Sequence, residues 1–237
     1  MEKSEGKVAI ITGSSGTLGS AVAGKFFHEG MKLVLVHLHE HDLPESFRDN
    51  RDVLSMVIDL SRPDAAFSMA QKALDRFGRI DILANVAGGF TMGTPVHETP
   101  LKTFDFMLAL NAGTVLNASS AVIPSMIKQR YGKIVNVAAG AALSGKALMA
   151  PYIVSKSAVI RLTESLAAEN RDFGINVNCV LPSIIDTPQN RRDMPDADFS
   201  RWVAPDALAD VISFLASDAS RAIHGAAIPV SGLSQVL

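Results

Sequence analysis

Short runs of apolar, β-branched residues alternate with longer stretches of helical period from one end of the chain to the other. Residues 7–12 predict a first strand, 18–30 a helix ending at a glycine, and 32–38 a second strand. Residues 53–59 predict a third strand, 64–77 a helix stopped at Gly78, and 80–85 a fourth strand. The stretch 100–129 is helical in period and contains Pro124, where a bend is expected. A fifth strand is predicted over 133–138, a long helix over 152–171, a sixth strand over 175–181, a helix over 205–216 and a final strand over 226–230. This alternation predicts the α/β class, a doubly wound parallel sheet of about seven strands with helices on both faces. No linker or repeat divides the chain, so residues 1–237 are expected to form one domain. Ligands bind outside the carboxyl ends of such strands. The loops after residues 12, 38, 59, 85, 138 and 181 are therefore the candidate functional loops.

Composition narrows the partners. The chain has 237 residues, 48% of them hydrophobic, enough for a substantial core. Its formal net charge is −2 with both signs interspersed, so neither a nucleic-acid stripe nor a polybasic membrane anchor is expected. No run approaches the roughly 20 apolar residues that span a bilayer, and the acidic start, with Glu2 and Glu5, is unlike a secretion signal. The cytoplasm is the expected compartment. The lone Cys179 lies in an apolar run and reads as a buried, inert thiol.

Two motifs carry chemistry. Between the first strand and first helix stands Gly13-Ser14-Ser15-Gly16-Thr17-Leu18-Gly19, where glycines permit a tight turn and close approach of a pyrophosphate to a helix N-terminus. Tyr152 and Lys156 lie four apart on one helix face. An ammonium so placed is expected to lower the pKa of the phenol, making an acid that works near neutrality. At the end of the second strand His37 stands where an aspartate would bind the ribose hydroxyls of NAD, and no arginine follows to meet a 2′-phosphate. His37, His39 and His41 alternate, but no Asp or Cys completes a ligand set, so no metal is expected.

These motifs resemble the short-chain dehydrogenase/reductase family over nearly the whole chain. Asn85-Val86-Ala87-Gly88 looks like that family's segment after the fourth strand, Asn111 falls at its catalytic asparagine, and Tyr152 with Lys156 is its proton-transfer pair. The resemblance implies a Rossmann-like fold and a nicotinamide cofactor held by the glycine turn, His37, Asp59, Leu60, Asn85, Ala87, Gly88, Tyr152, Lys156, Pro182, Ile184 and Thr187. It implies a dimer or tetramer built on the helices of 100–129 and 152–171. Between NADH and NADPH the residues leave the choice open, with a slight lean to NADH because no fixed cation is visible.

One departure is informative. Thirteen residues before Tyr152, where the family carries a serine, the chain has Ala139. This gap, and the string of residues from Leu181-Pro182 through Asp186-Thr187-Pro188, Asn190-Arg191, Met194-Pro195 and Phe199 to Trp202, resemble the dihydropteridine reductases, a serine-less branch of the same family. The expected reaction is then hydride transfer to a conjugated heterocycle such as a dihydropterin, with Tyr152 as acid, Lys156 and Asn111 supporting it, and Ala139 and Phe90 facing substrate. Two alternatives stay open: a ketone or 3-oxoacyl reductase in which Ser144 replaces the missing hydroxyl, and a cofactor-binding regulatory or scaffold protein without turnover.

Overall fold

The computed structural model describes residues 5–40 and 44–234. Seven parallel strands form one sheet in the order β3-β2-β1-β4-β5-β6-β7. They are β1 (Val8–Thr12), β2 (Lys32–His37), β3 (Val53–Val57), β4 (Ile82–Asn85), β5 (Gly132–Val137), β6 (Ile175–Pro182) and β7 (Ala227–Val230). The chain starts in the middle, winds outward through β2 and β3, then crosses back to β4 beside β1. That reversal opens a crevice at the carboxyl ends of β1 and β4, where ligands of such sheets bind.

Alternation along each strand builds two cores. Ala9, Ile11, Leu33 and Leu35 face helix α1 (Thr17–His28) and helix α7 (Pro205–Leu215), where Phe26 and Ile212 are fully buried. Val8, Ile10, Val34 and Val36 point the other way, against α2 (Pro63–Phe77) and α4 (Thr114–Gln129). A strand covered on both faces reads as a continuous apolar run, and β1 is Val-Ala-Ile-Ile before Thr12, without polar alternation. Burying a side chain the size of Phe26 stabilises the fold by about 1.5–3 kcal/mol.

Local signals set the helix ends. Helix α2 has Pro63 in its first turn and stops at Gly78, whose φ of 76° lets its N–H return to the Leu74 carbonyl at 2.7 Å. Helix α5 (Ala150–Asn170) has Pro151 in its first turn. A short helix over Pro188–Asp193, α6, was not anticipated from the pattern; the Thr187 hydroxyl caps it by accepting the Asn190 N–H at 3.1 Å.

The stretch 100–129 differs from expectation. It divides into α3 (Leu101–Leu108), a wider π-helical turn at Ala109–Gly113, and α4, with Pro124 inside α4. The hydrogen-bond ladder changes at Asn111, which the pattern does not announce, as well as at Pro124, which has no N–H to give. Leu101–Gln129 is also long and apolar enough, by length and composition, to cross a membrane, which a search for uninterrupted apolar runs overlooks. Half of its apolar window is buried inside the protein, as in the core helix of a globular fold.

Candidate active site

The carboxyl ends of the strands border one cavity of about 920 Å³, running from the glycine turn after β1 to the first turn of α5. Its lining includes residues at the end of β2, His37 and Leu38, and residues from the loops after 12, 59, 85, 138 and 181, among them Gly13, Leu60, Gly88, Ala139 and Ile184; the described residues of the loop after 38 lie outside it.

The glycine turn is a backbone surface by necessity. Gly13 has φ 65°, and a Cβ there would lie 2.8 Å from the Ala87 Cα, while a Cβ on Gly19 would strike the Gly13 carbonyl. Thr12, not singled out from the sequence, locks the neighbouring loop: its hydroxyl accepts the N–H groups of both Val86 and Ala87 at 3.0 Å. A bare turn at a helix N-terminus, opening on a cavity of this size, fits a dinucleotide pyrophosphate. Ser15, Gly16 and Leu18 line the cavity with Gly13 and Gly19, whereas Thr17 is exposed and lies outside the lining.

At the end of β2, His37 is buried and lines the cavity, with its Nδ1 3.4 Å from the Ser14 hydroxyl. His39 is exposed, and His41 lies outside the described residues. Among the described residues no arginine lines the cavity. Asp59 and Leu60 border it beside His37; hydrogen bonds from Ser61 hold the Asp59 carboxyl below its usual range. The Leu60 carbonyl is fixed by Asn117, which donates to it from α4 at 2.9 Å.

Two further residues expected at the cofactor, Asn85 and Thr187, lie outside the cavity lining. Asn85 is buried outside the lining and donates to Asn136 on β5 at 2.8 Å, which in turn donates to Thr163 on α5. Thr187 spends its hydroxyl on the α6 cap. Pro182 and Ile184 do line the cavity. Ser183, where the family has glycine, fits without left-handed backbone and donates to the Ser231 carbonyl at 2.8 Å.

Tyr152 and Lys156 enter from α5. Lys156 is buried, and its ammonium donates to the Val137 carbonyl at 2.8 Å. Burial pushes the Lys156 ammonium down to about 8 and the Tyr152 phenol up to about 12. The lowering of the phenol expected from the lysine is therefore not seen: the ammonium is held by Val137, and loss of solvent dominates both groups. Among the described residues nothing hydrogen-bonds to the Tyr152 hydroxyl, which leaves it available to a substrate. Phe90 meets the Tyr152 ring edge to face, with centroids 4.8 Å apart.

Asn111 is fully buried at the π-helical turn. Its Oδ1 accepts the Gly89 N–H at 2.9 Å, and its Nδ2 donates to the Gly89 carbonyl at 3.1 Å and to Ser155 Oγ at 2.9 Å. Ser155, also not named from the sequence, donates to the Tyr152 carbonyl at 2.7 Å. The asparagine thus joins the loop carrying Phe90 to the helix carrying Tyr152.

Ala139 is buried and lines the cavity. Ser144 is exposed beyond the short turn at Gly140–Leu143 and is not part of the lining. The structure therefore does not bring Ser144 to the place of the missing hydroxyl.

The residues from 181 to 202 form a self-supporting arch. Arg191 grips Asp186 through two hydrogen bonds of 2.6 and 2.7 Å and lies 4.8 Å over the Phe199 ring, which packs on Trp202 at 4.7 Å. Most of the unusual residues in this segment hold the arch, so their pattern speaks for the shape of a loop more than for the molecule it meets.

Residues 7–198 match the short chain dehydrogenase family, and the chain belongs to it. It is 31% identical over 241 residues to the 3-oxoacyl-[acyl-carrier-protein] reductase FabG of Thermotoga maritima, covering 96% of this chain and 97% of that one. NAD+-bound xylitol dehydrogenase superposes with a TM-score of 0.89 at 28% identity, covering 98% of this chain and 100% of that one. ElxO with NADP bound superposes with the same TM-score at 26% identity, covering 95% and 97%. The protein is an NAD(P)-dependent oxidoreductase of this family. These relatives do not extend the local resemblance to dihydropteridine reductases.

Proposed function

We propose that this enzyme interconverts an activated carbonyl and its alcohol, with Tyr152 as the only side-chain acid at the reacting oxygen. The carrying observation is that Ala139 lines the cavity where the family has a serine, while Ser144 stands outside. One preorganised donor to a developing oxyanion is worth about 10²- to 10³-fold in rate. A site without it favours a carbonyl whose neighbour withdraws electrons, such as a 1,2- or 1,3-dicarbonyl, because the oxygen then carries less charge. The 3-oxoacyl and polyol relatives support carbonyl–alcohol chemistry in general.

A bound nicotinamide cofactor supplies or accepts the hydride. The glycine turn, His37, Asp59 and Leu60 would hold its adenosine and phosphate end, and Gly88, Lys156, Pro182 and Ile184 its reactive end. Lys156 holds its proton against the Val137 carbonyl; Asn111 and Ser155 hold the helix turn that aims the Tyr152 hydroxyl. Either form of the cofactor suits the end of β2, where His37 stands in place of a ribose-binding carboxylate and no arginine lines the cavity among the described residues.

A second reading is a dihydropterin acceptor. The absence of a hydroxyl at Ala139 favours it, as does the open ring of Phe90 beside Tyr152, which a flat conjugated heterocycle could cover. Cofactor oxidation measured with simple ketones, dicarbonyls and quinonoid dihydropterin separates the readings. Dicarbonyl turnover at least tenfold above the other two supports the first, and dihydropterin turnover alone overturns it. A protein that binds cofactor and turns over none of them is the scaffold alternative. We place the enzyme in the cytoplasm as a dimer or tetramer. Exposed Phe106, Leu116 and Val154 on α3, α4 and α5 support that assembly, and light scattering on a Leu116→Glu, Val154→Glu variant tests it.

A further inference from the structure

We infer that Lys146 selects substrates carrying an anionic group, an inference that deepens the proposed carbonyl–alcohol reading. Around Tyr152 the cavity is mostly apolar, lined by Phe90, Met92, Leu110, Met149 and Met194. Two lysines line it. Lys156 is buried and holds the Val137 carbonyl, whereas Lys146 is exposed at the rim and has no ion pair or hydrogen bond among the described residues.

The loop that presents Lys146 is held in a costly shape. Leu148 has φ 64°, a left-handed conformation that a branched bulky side chain rarely adopts. Its carbonyl accepts the Gly93 N–H at 2.8 Å, which ties the loop of Lys146 to the loop of Phe90 and Met92. Strain of this kind persists only where the surroundings enforce it, and it concentrates at ligand-binding sites. Here the strained residue sits between two cavity residues, Lys146 and Met149.

The charges also give the rim a direction. Asp193, at the end of α6, lines the same cavity, and its carboxylate accepts the Gln189 amide at 2.8 Å. No ion pair joins it to Lys146, so these two charged side chains of the lining stand apart from each other. A site that lacks one oxygen donor gains from a second point of attachment remote from the carbonyl, because orientation of the reacting group is itself a large part of catalysis. A carboxylate or other anion drawn to Lys146 and away from Asp193 supplies that attachment. The lysine is a specificity residue and takes no part in proton transfer.

The test uses straight-chain oxo acids of increasing length, each paired with its methyl ester, on protein saturated with NAD+ for calorimetric binding and with NADH and NADPH for turnover. For at least one chain length the acid should bind about fivefold or more tighter than the ester, the range of a solvent-accessible ion pair. Lys146→Glu should remove that preference while leaving ester kcat within about threefold, Lys146→Arg should keep it, and Asp193→Asn should increase it. No preference at any length, or a preference that survives Lys146→Glu, overturns the inference. An acid preference in binding without carbonyl turnover leaves Lys146 in place and removes the carbonyl–alcohol reading, so the two fail separately.

Discussion

The ring of Phe90 stands at 79° to the ring of Tyr152, with centroids 4.8 Å apart, so the phenol proposed as the acid is braced on its helix by a residue of the loop after β4. An edge-to-face pair is worth about 0.5–1.5 kcal/mol beyond the area it buries. Phe90→Ala should therefore lower kcat by about threefold to tenfold by freeing the Tyr152 ring. Tyr152→Phe keeps the pair and deletes only the transferable proton; it should abolish turnover while cofactor affinity changes by no more than a few fold. Near-normal turnover by Tyr152→Phe would remove Tyr152 from the mechanism.

Asn111 satisfies both backbone groups of Gly89 and the Ser155 hydroxyl. Asn111→Leu removes the partner of the buried Ser155 hydroxyl and of the half-buried Gly89 groups, at up to about 1–3 kcal/mol for a fully buried group and less for those water can reach. We expect a lower Tm together with a loss of kcat, and partial recovery of both in Asn111→Asp, which still accepts the Gly89 N–H. A Tm unchanged in the leucine variant would show that the clamp does not hold the fold.

Burial brings the folded-state pKa of Lys156 from 10.5 to about 8. Below pH 8 the folded protein carries a poorly solvated ammonium, a penalty of at most on the order of 3 kcal/mol. That penalty fades as pH rises from 8 toward 10.5, where the unfolded chain loses the same proton. Lys156→Met removes the penalty but orphans the Val137 carbonyl, at about 1–3 kcal/mol. The variant should be inactive. Its stability relative to the wild type should be greatest at neutral pH and decline between pH 8 and 10.5; a stability difference that is flat across that range in paired urea titrations contradicts the buried ammonium.

At the adenosine end, the end of β2 lines the cavity with Val36, His37 and Leu38, neither a carboxylate nor an arginine, and the carboxylate nearby, Asp59, follows β3 instead. Discrimination between NADH and NADPH should be less than about tenfold, a gap of about 1.4 kcal/mol. His37→Asp should shift it toward NADH, because a carboxylate there accepts ribose hydroxyls and repels a 2′-phosphate. Ratios of kcat/KM for the two cofactors in both proteins decide the matter.

Ala139→Ser restores a hydroxyl to the cavity wall. On unactivated ketones it should raise kcat/KM by up to about 10²-fold. On dicarbonyls or a dihydropterin the rate should stay flat or fall, since an unpaired buried hydroxyl costs about 1–3 kcal/mol. Ser144→Ala should change little, because Ser144 is exposed outside the cavity. Loss of most ketone activity in Ser144→Ala would instead show that its loop closes during the reaction.

The strands, the longer helices and most of the loops bordering the cavity were legible in the sequence because each rests on local periodicity: β1 is apolar from Val8 to Ile11, and α2 runs from Pro63 to a glycine in the left-handed turn that ends it. The Tyr152–Lys156 pair was legible for the same reason, since four residues on a helix fix a shared face. Tertiary structure decided what depends on residues far apart in the chain. It turned Asn85 away from the cavity toward Asn136, put Thr12 behind Val86 and Ala87, and added to the long helix a wider turn at Asn111, whose partners Gly89 and Ser155 belong to other elements. It also reversed the expected electrostatics of Tyr152. The spacing places an ammonium near the phenol, but the burial of both groups, and the carbonyl that holds the lysine, arise only when β5 and α5 pack together.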